Sequence, residues 1–267
     1  MENKKIAIIG AGNMGGAIAV GLLKSGFVPA SGILVSDAKE KNLREMEALG
    51  IIACENNNIA VQNAGVVIIA VKPSHIESVI KDIKIDLTPD KIFISIVAGV
   101  GINKLEKMAG ENIPIFRVMP NTAIALQESL TCISCNSNVP EHKAFVIEMF
   151  NKLGKTIEIP EELMAAATVL SSCGIACALR YIRAAMQGGI EIGFSAEMAK
   201  FITAQTVKGA SELILQTGNN PEIEIDKVTT PRGITITGLN EMENNGFSSS
   251  LIQGMLASYR KIENLNK

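Results

Sequence analysis

The chain has 267 residues, 47% of them hydrophobic and 19% charged, enough to bury a sizeable core in one large domain or two ordinary ones. Its 25 basic and 27 acidic residues give a net charge of −2, and aromatic residues make up only 4%. This composition has neither the basic excess nor the stacking side chains of a nucleic-acid-binding protein, so we expect no nucleic-acid partner.

The first half of the chain alternates short apolar runs with helical segments. Strands are predicted over residues 6–9, 33–36, 64–71, 92–97, 115–118 and 131–134. Helices are predicted over residues 14–24, 40–49 and 76–83. Repeated strand–helix units with continuous apolar strands are typical of parallel sheets covered on both faces. We therefore expect a doubly wound α/β sheet.

The pattern changes near residue 160. Pro160-Glu161-Glu162 is a favourable helix start, and helices are predicted from there toward Gly193, from Ser195 to about residue 216, and over residues 235–245 and 248–265. No strand pattern follows residue 160. We therefore predict an α/β domain over residues 1–160 and an all-helical domain over residues 161–267.

Two apolar segments superficially resemble targeting or membrane signals. Residues 6–23 follow two lysines as in a signal peptide, but their glycines have nucleotide-loop spacing and no convincing cleavage site follows. Residues 163–179 carry no charge, yet they are at the short limit for a membrane span and contain several polar side chains. A helix that is apolar all round is also typical of a buried or subunit-interface position, and we prefer the buried helix and expect no membrane contact.

The chain has five cysteines, which are Cys54, Cys132, Cys135, Cys173 and Cys177. An odd number without a signal peptide indicates a reducing, cytoplasmic compartment. The two closely spaced pairs at 132/135 and 173/177 have no supporting histidine, and the first pair lies in a predicted strand. Structural zinc normally needs four converging ligands, so we expect no metal site.

The segment from Gly10 to Gly15 is a G-x-G-x-x-G motif, GAGNMG, that follows a predicted strand and opens a predicted helix. In this context the first glycine permits the tight turn, Gly12 lets the backbone approach a pyrophosphate, and Gly15 lets the helix pack on the strand. The helix N-terminus then faces the phosphates. The motif therefore predicts a Rossmann-type dinucleotide site, to which Asn13 and Met14 also belong.

Two further strand ends should border the same site. Asp37, after the second strand, is the usual partner of the ribose hydroxyls of NAD, whereas Ser36 and Lys39 beside it could hold the 2′-phosphate of NADP. The sequence leaves this choice open. The turn from Ala70 to Pro73 (AVKP) ends another buried strand and should border the cofactor, although Lys72 could equally be a solvated surface lysine.

Two more motifs, RVMPNT at residues 117–122 and VTTPRGIT at residues 228–235, complete an ordered set. With the GAGNMG loop and the VKP turn, they make the chain resemble the pyrroline-5-carboxylate reductases over essentially its whole length. The resemblance implies a Rossmann domain followed by a helical domain that forms an intertwined homodimer, often assembled into larger rings of dimers. The expected reaction is hydride transfer from NADPH, with NADH as the alternative, to the cyclic imine 1-pyrroline-5-carboxylate, giving L-proline.

The resemblance also implies roles for individual residues. Asn57 would approach the adenosine ribose, and the nicotinamide would be lined by Ala70, Val71, Lys72, Pro73, Ala98 and Gly99. The small-molecule substrate would be bordered by Met119, Asn121 and Thr122 and held by Thr230, Gly233, Ile234 and Thr235. Thr235 matches the family threonine that hydrogen-bonds the ring nitrogen. From the sequence alone, it could also be the N-cap of the following helix.

Several positions depart from the family pattern. Many relatives have Pro-Gly-Gly-Thr-Thr where this chain has PRGIT at residues 231–235, and Ser-Gly-Ser-Gly-Pro-Ala-Tyr where it has SSCGIAC at residues 171–177. Arg183 stands where glutamate is usual, and Gln127 where glycine is usual. These changes leave the shape of the substrate pocket and the preferred ring size open, but they do not touch the cofactor loop.

Two other functions have to be weighed against this interpretation. A hydroxyacid dehydrogenase of the same two-domain plan needs a general base, usually a lysine flanked by glycine and asparagine, and Lys200 and Lys208 lack that setting. A non-catalytic NADP-binding regulator would be favoured by loss of Thr235 or of the MPNT turn, and both are present.

Overall fold

The computed structural model describes residues 4–110 and 112–265. By its internal contacts the chain divides into two units, one made of the described residues up to Ser172 and from Tyr259 onward, the other of Cys173 to Ser258. The predicted domain boundary between residues 160 and 161 stays a prediction.

In the described part of the chain, the first unit contains one eight-stranded sheet with the strand order β3-β2-β1-β4-β5-β6-β7-β8. The strands are β1 (Ile6–Ile9), β2 (Ile33–Ser36), β3 (Ile52–Ala53), β4 (Val66–Ile69), β5 (Ile92–Ser95), β6 (Ile115–Met119), β7 (Ser129–Cys135) and β8 (Gly154–Glu158). The helices that accompany them are α1 (Asn13–Lys24), α2 (Glu40–Glu47), α3 (Asn57–Gln62), α4 (Ile76–Ile83), α5 (Ile102–Ala109) and α6 (Pro140–Asn151).

Helices cover both faces of this sheet, as the continuous apolar strands predicted. Every residue of β1, β2, β4, β5 and β6 is buried. Alternate residues of a strand belong to different cores: Ile6 and Ile8 pack in one cluster, and Ala7 and Ile9 in the other. A strand buried on both sides has no polar face, which is why its sequence shows no alternation.

Strands β1 to β6 are mutually parallel, but β7 runs antiparallel to β6, with Val118 opposite Ile133, and β8 is parallel to β7. Our expectation of a parallel sheet throughout is therefore wrong at this edge. The connection between β6 and β7 contains only a short 3₁₀ turn, Thr122–Leu126. A parallel crossover needs about a dozen residues or more, so this short connection can only return the chain antiparallel.

After residue 160 the chain is helical. The predicted long helical stretch is confirmed, but it is not uniform: a 3₁₀ turn (Glu161–Leu163) and α7 (Met164–Ala167) lead into a π-helical segment (Thr168–Cys173), and α8 (Gly174–Glu191) follows. The remaining helices are α9 (Ala196–Thr217), α10 (Pro221–Val228), α11 (Ile234–Asn244) and α12 (Phe247–Leu265). Ser195 caps α9 as predicted, accepting a hydrogen bond from the Met198 N–H at 3.3 Å.

The uncharged segment at residues 163–179 is buried on one side only. Met164 and Val169 are buried, whereas Leu163, Leu170 and Leu179 are 51%, 68% and 58% exposed. The preference for a fully buried helix is therefore wrong within a single chain. Among the described residues, the stretch Glu161–Glu191 is long and apolar enough to cross a membrane by length and composition alone, which is weak evidence by itself.

Lys91 is a buried cation that closes the end of α3. Its side chain is 8% exposed, and its Nζ donates hydrogen bonds to the Val61 and Ala64 carbonyls at 2.9 and 2.6 Å. The last carbonyls of a helix have no partner within the helix, and a cation also interacts favourably with that end of the helix dipole. Lys91 therefore ties α3 to the start of β5.

We predict that Lys91→Met lowers the free energy of unfolding by about 2 kcal/mol, because two charge-assisted hydrogen bonds are lost and their carbonyls stay buried. Urea unfolding followed by circular dichroism at fixed protein concentration measures the change. The control is Lys107→Met at an exposed position of α5, which should change stability by less than about 0.5 kcal/mol. Equal stabilities of the two variants would contradict the role of Lys91.

Candidate functional site

The glycine loop between β1 and α1 is packed so closely that only glycine fits at two of its positions. Gly10 has a positive φ of 97°, and a Cβ there would lie 2.8 Å from the Ala70 carbonyl oxygen. A Cβ on Gly15 would lie 1.9 Å from the Gly10 carbonyl oxygen. The loop therefore passes directly over the end of β4, and α1 starts in contact with the turn that precedes it.

This packing aims the N-terminus of α1 at the crevice between β1 and β4, where the strand order reverses. Gly12 is the N-cap of α1, and in the described structure the helix has neither a side-chain cap nor an acidic residue in its first turn. A Cβ on Gly12 would meet no described atom within 4 Å. The first-turn N–H groups therefore face open space, an arrangement that suits an anionic pyrophosphate.

The end of β2 completes this side of the site. Ser36 donates a hydrogen bond from Oγ to Asn57 Oδ1 at 2.8 Å, so two residues predicted from separate motifs meet. The Asp37 carboxylate accepts the Ala11 N–H at 2.8 Å through Oδ2 and the Lys39 N–H at 2.7 Å through Oδ1. Asp37 thus ties the glycine loop to β2, a contact that the motif spacing did not reveal.

A cavity of about 250 Å³ lies at the carboxyl ends of the strands in the first unit. It is lined by Met14, Ala70, Val71, Ile96, Ala98, Met119, Pro120, Asn121, Thr122, Thr168 and Ser172. The structure therefore brings together residues predicted for the nicotinamide and residues predicted for the substrate ring. Sequence reasoning missed Thr168 because its segment carries no charge and was interpreted as a packing helix, and it noted Ser172 only within a departure that leaves the shape of the pocket open.

The turn over Met119–Thr122 is held from several sides. The Asn121 N–H donates to Ser129 Oγ at 3.0 Å, and Asn121 Oδ1 accepts the Ala123 N–H at 3.0 Å. Asn121 Nδ2 donates to the Ser171 carbonyl at 3.3 Å, and Ser172 Oγ donates to the Pro120 carbonyl at 2.9 Å. Both ends of the Asn121 side-chain amide thus help to position the turn: its oxygen accepts within the turn, and its nitrogen donates to the Ser171 carbonyl.

An ion pair lies behind this turn. Arg117, on β6, is 5% exposed, and its Nη1 lies 3.1 Å from Glu161 Oε1. The same carboxylate oxygen accepts the Ile102 N–H at 2.6 Å, at the start of α5. The arginine is the buried partner, whereas the Glu161 side chain is 31% exposed, so loss of Glu161 would leave the buried guanidinium without its carboxylate. Glu161 therefore joins β6, α5 and the beginning of the helical stretch.

The remaining predicted residues lie in the second unit, at the start of α11. The Gly233 N–H donates to the Thr230 carbonyl at 2.8 Å, and a Cβ on Gly233 would lie 2.5 Å from Thr230 Oγ1. Gly233 is the N-cap of α11, so the alternative role of Thr235 as N-cap is wrong. In the described structure α11 has no acidic residue in its first turn, and Thr235 is exposed there. These first-turn N–H groups suit a carboxylate.

Two departures from the resemblance have a common backbone explanation. Among the described residues, Gln127 and Arg232 are the non-glycine residues with a positive φ, 60° and 59°. The resemblance described above implies glycine at both positions. In each case the chain forms a left-handed turn without the residue that adopts this conformation most readily.

The cysteines show no metal-binding arrangement in the described part of the chain, which contains no group of three or more histidine, cysteine, aspartate or glutamate side chains placed to hold an ion. Burial raises the pKa of the Cys132 and Cys135 thiols above their ordinary value. These two thiols are therefore harder to ionise than a free cysteine.

Comparisons with known proteins agree with this arrangement. Residues 161–265 match the family described as pyrroline-5-carboxylate reductase dimerisation, and residues 5–99 match the family described as NADP oxidoreductase, coenzyme F420-dependent. The chain is 41% identical to pyrroline-5-carboxylate reductase 1 of Dictyostelium discoideum over 97% of its own length, and it spans about half (49%) of that relative. It is 36% identical to pyrroline-5-carboxylate reductase of Methanosarcina acetivorans, with both chains covered completely.

Two solved structures also resemble the chain over its whole length. The crystal structure of Plasmodium falciparum pyrroline carboxylate reductase with NADP bound superposes with a TM-score of 0.93 at 30% identity, covering 100% of both chains. The corresponding protein of Coxiella burnetii superposes with a TM-score of 0.90 at 28% identity, again over both complete chains.

The glycine loop generates a prediction that separates binding from folding. Gly12→Ala should keep the thermal stability of the wild-type protein and weaken dinucleotide binding by roughly tenfold or more, because its Cβ enters the space before the helix N-terminus. Gly15→Ala should lower both stability and binding, because its Cβ collides with the Gly10 carbonyl. Calorimetric titration with NADPH and thermal denaturation measure the two effects. Wild-type affinity in Gly12→Ala would show that no dinucleotide lies over this loop.

Proposed function

The chain belongs to the pyrroline-5-carboxylate reductase family, and on that basis we propose that it reduces the ring C=N bond of 1-pyrroline-5-carboxylate to give L-proline, the last step of proline biosynthesis. The observation that carries this proposal is the cavity at the strand ends, where Ala70, Val71 and Ala98 face the turn over Met119–Thr122. Residues proposed to contact the cofactor and residues proposed to contact the substrate thus line the same cavity.

The residues present fit a dinucleotide. Gly12 leaves open space at the uncapped start of α1, and Ser36 and Asn57 meet at the end of β2. Gly10, Gly12, Asn13, Met14 and Gly15 would hold the pyrophosphate. Ser36 and Asn57 would hold the adenosine ribose, and Ala70, Val71, Lys72, Pro73, Ala98 and Gly99 would line the nicotinamide. NADPH, when bound, supplies the hydride; NADH is the alternative donor.

The protein's own residues then position the imine. Met119, Asn121 and Thr122 border the ring, and the hydrogen bonds of Asn121 fix the turn before any ligand binds. Such fixed geometry supplies much of the rate enhancement when the reaction asks little of side-chain chemistry. The carboxylate of the substrate is held by main-chain N–H groups of the loop over Thr230, Gly233, Ile234 and Thr235.

Thr235 acts on the ring nitrogen. A threonine hydroxyl is a poor free acid, so its role is that of a hydrogen-bond donor or a relay to water, which stabilises the protonated nitrogen as hydride reaches the neighbouring carbon. Its exposed position in the first turn of α11 leaves the hydroxyl available for a ligand.

We also propose that residues 161–267 form the dimerisation domain of a homodimer, which can assemble into a larger ring of dimers. The match of residues 161–265 to the dimerisation family supports this. So does the exposure of large apolar side chains in the second unit: Ile192 is 77%, Phe201 71% and Leu215 78% exposed. Soluble proteins rarely leave so many exposed unless a partner covers them.

A dimer would also cover the exposed side of the stretch Glu161–Glu191, so its apolar character does not require a membrane. The odd number of cysteines suits a reducing compartment, and we propose that the enzyme is cytoplasmic. Its composition, without a basic excess, gives no reason to expect a nucleic-acid partner.

The function is tested by following NADPH oxidation at 340 nm with purified protein and synthetic pyrroline-5-carboxylate, and by identifying proline as the product. Parallel reactions with NADH give the cofactor preference, and 2-keto acids serve as control substrates for a hydroxyacid dehydrogenase. Turnover of the imine and not of the keto acids is the expected result. Binding of NADPH without any imine reduction would instead favour a regulator.

We predict that Thr235→Val lowers kcat by roughly 10- to 100-fold, since it removes one hydrogen bond to a charged group while keeping the side-chain shape. Thr235→Ser should retain most of the activity. The matched control is Thr237→Val in the same helix, because the Thr237 hydroxyl already donates to the Gly233 carbonyl at 3.1 Å. Unchanged kcat in Thr235→Val would contradict the role of Thr235 without affecting the proposed reaction.

A further inference from the structure

Ser172 contributes a side chain to the wall of the cavity at the strand ends. It belongs to the π-helical segment Thr168–Cys173, and it lines the cavity together with Thr168, Met119 and Asn121. A glycine at position 172 would leave the space of the serine Cβ and Oγ empty. The Ser172 side chain therefore limits the volume of the cavity on this side.

The Ser172 side chain is fixed in its orientation. Its Oγ donates to the Pro120 carbonyl at 2.9 Å, and the neighbouring Ser171 carbonyl accepts from Asn121 Nδ2 at 3.3 Å. A serine hydroxyl has a single proton, so this one is committed to the turn. Because rotation would break that hydrogen bond, Ser172 is a rigid part of the cavity wall and not a group that a larger ligand can push aside.

Thr168 gives the same wall a second fixed hydroxyl. Its Oγ1 donates to the Met164 carbonyl at 2.7 Å, and the residue is 7% exposed. The wall contributed by the π-helical segment thus has both hydroxyl protons occupied by main-chain carbonyls. Its volume is set by the protein before a substrate arrives.

We propose that Ser172 is a specificity-determining residue, which restricts the cavity to the five-membered cyclic imine and excludes the six-membered homologue. This inference rests on the proposed function and adds the ring size to it. The discrimination comes from volume: the larger ring has one more methylene, and a rigid pocket rejects one methylene by roughly 10- to 200-fold. With glycine at position 172, the additional methylene would have room.

The test compares kcat/KM for pyrroline-5-carboxylate and for 1-piperideine-6-carboxylate, which differ by one ring methylene. The wild-type protein should prefer the five-membered ring. In Ser172→Gly, the ratio of six-ring to five-ring kcat/KM should rise by roughly tenfold or more, through a gain on the larger ring. Ser172→Ala keeps Cβ and should give a ratio between those of the wild type and Ser172→Gly.

Ser78→Gly is the matched control, since it places a glycine at an exposed position of α4 remote from the cavity. It should leave the ratio unchanged, and NADPH affinity should be the same in all four proteins. If Ser172→Gly proves unstable, Ser172→Ala provides the test: its ratio of six-ring to five-ring kcat/KM should be higher than that of the wild type.

The inference would be overturned if both Ser172 variants kept the wild-type ratio of six-ring to five-ring kcat/KM. It would also be overturned if kcat/KM fell equally for both rings, because Ser172 would then have a purely structural role. Either result would leave the reduction of pyrroline-5-carboxylate by the wild-type protein intact. Failure of the wild-type protein to reduce any cyclic imine would instead reject the proposed function.

Discussion

The close contact between Gly15 and the Gly10 carbonyl determines where α1 begins, and with it the geometry of the cofactor-binding part of the site. With no Cβ at Gly15, α1 can start against the turn that leaves β1, and its first N–H groups then point across the end of β4. A bulkier residue would move the helix away, and its dipole would no longer face the crevice. The Asp37 carboxylate strengthens the arrangement by accepting the Ala11 N–H, so the neighbouring strand holds the same loop. The anion-binding geometry is therefore a result of packing and needs no positively charged side chain.

The sequence predicted those parts of the fold that depend on local pattern. The buried parallel strands, the glycine loop and the cap at Ser195 all have signals within a few residues, and the structure has them. The sequence did not predict β3, which has two residues, or the reversal of β7, which depends on the length of a connection that has no strong turn signal. Short elements and strand direction are decided by tertiary pairing, which a local pattern does not record.

The sequence likewise predicted some residues of the candidate site and not others. Met14, Ala70, Ala98, Met119 and Thr122 were placed by their motifs, and the structure gathers them around one cavity. Thr168 was not, and Ser172 was noted only as part of a departure from the family pattern, because an uncharged helical stretch predicts packing equally well whether its polar residues face a ligand or a neighbouring helix. The π-helical turn matters here: it lets the Ser171 carbonyl accept from Asn121 while Ser172 donates to Pro120. Such turns often occur at functional sites, and no local sequence signal marks them.

The left-handed backbone at Gln127 and Arg232 has a wider meaning for this enzyme. For a residue with a side chain, this conformation costs roughly 1–2 kcal/mol more than the right-handed one. The chain accepts that strain twice: at the end of the turn carrying Met119–Thr122, and beside the loop at Thr230. Both residues are exposed and lie in turns, one in each unit, so this strain is located outside the apolar cores. Each turn is therefore held in its shape at a cost in stability, which the surrounding structure has to offset.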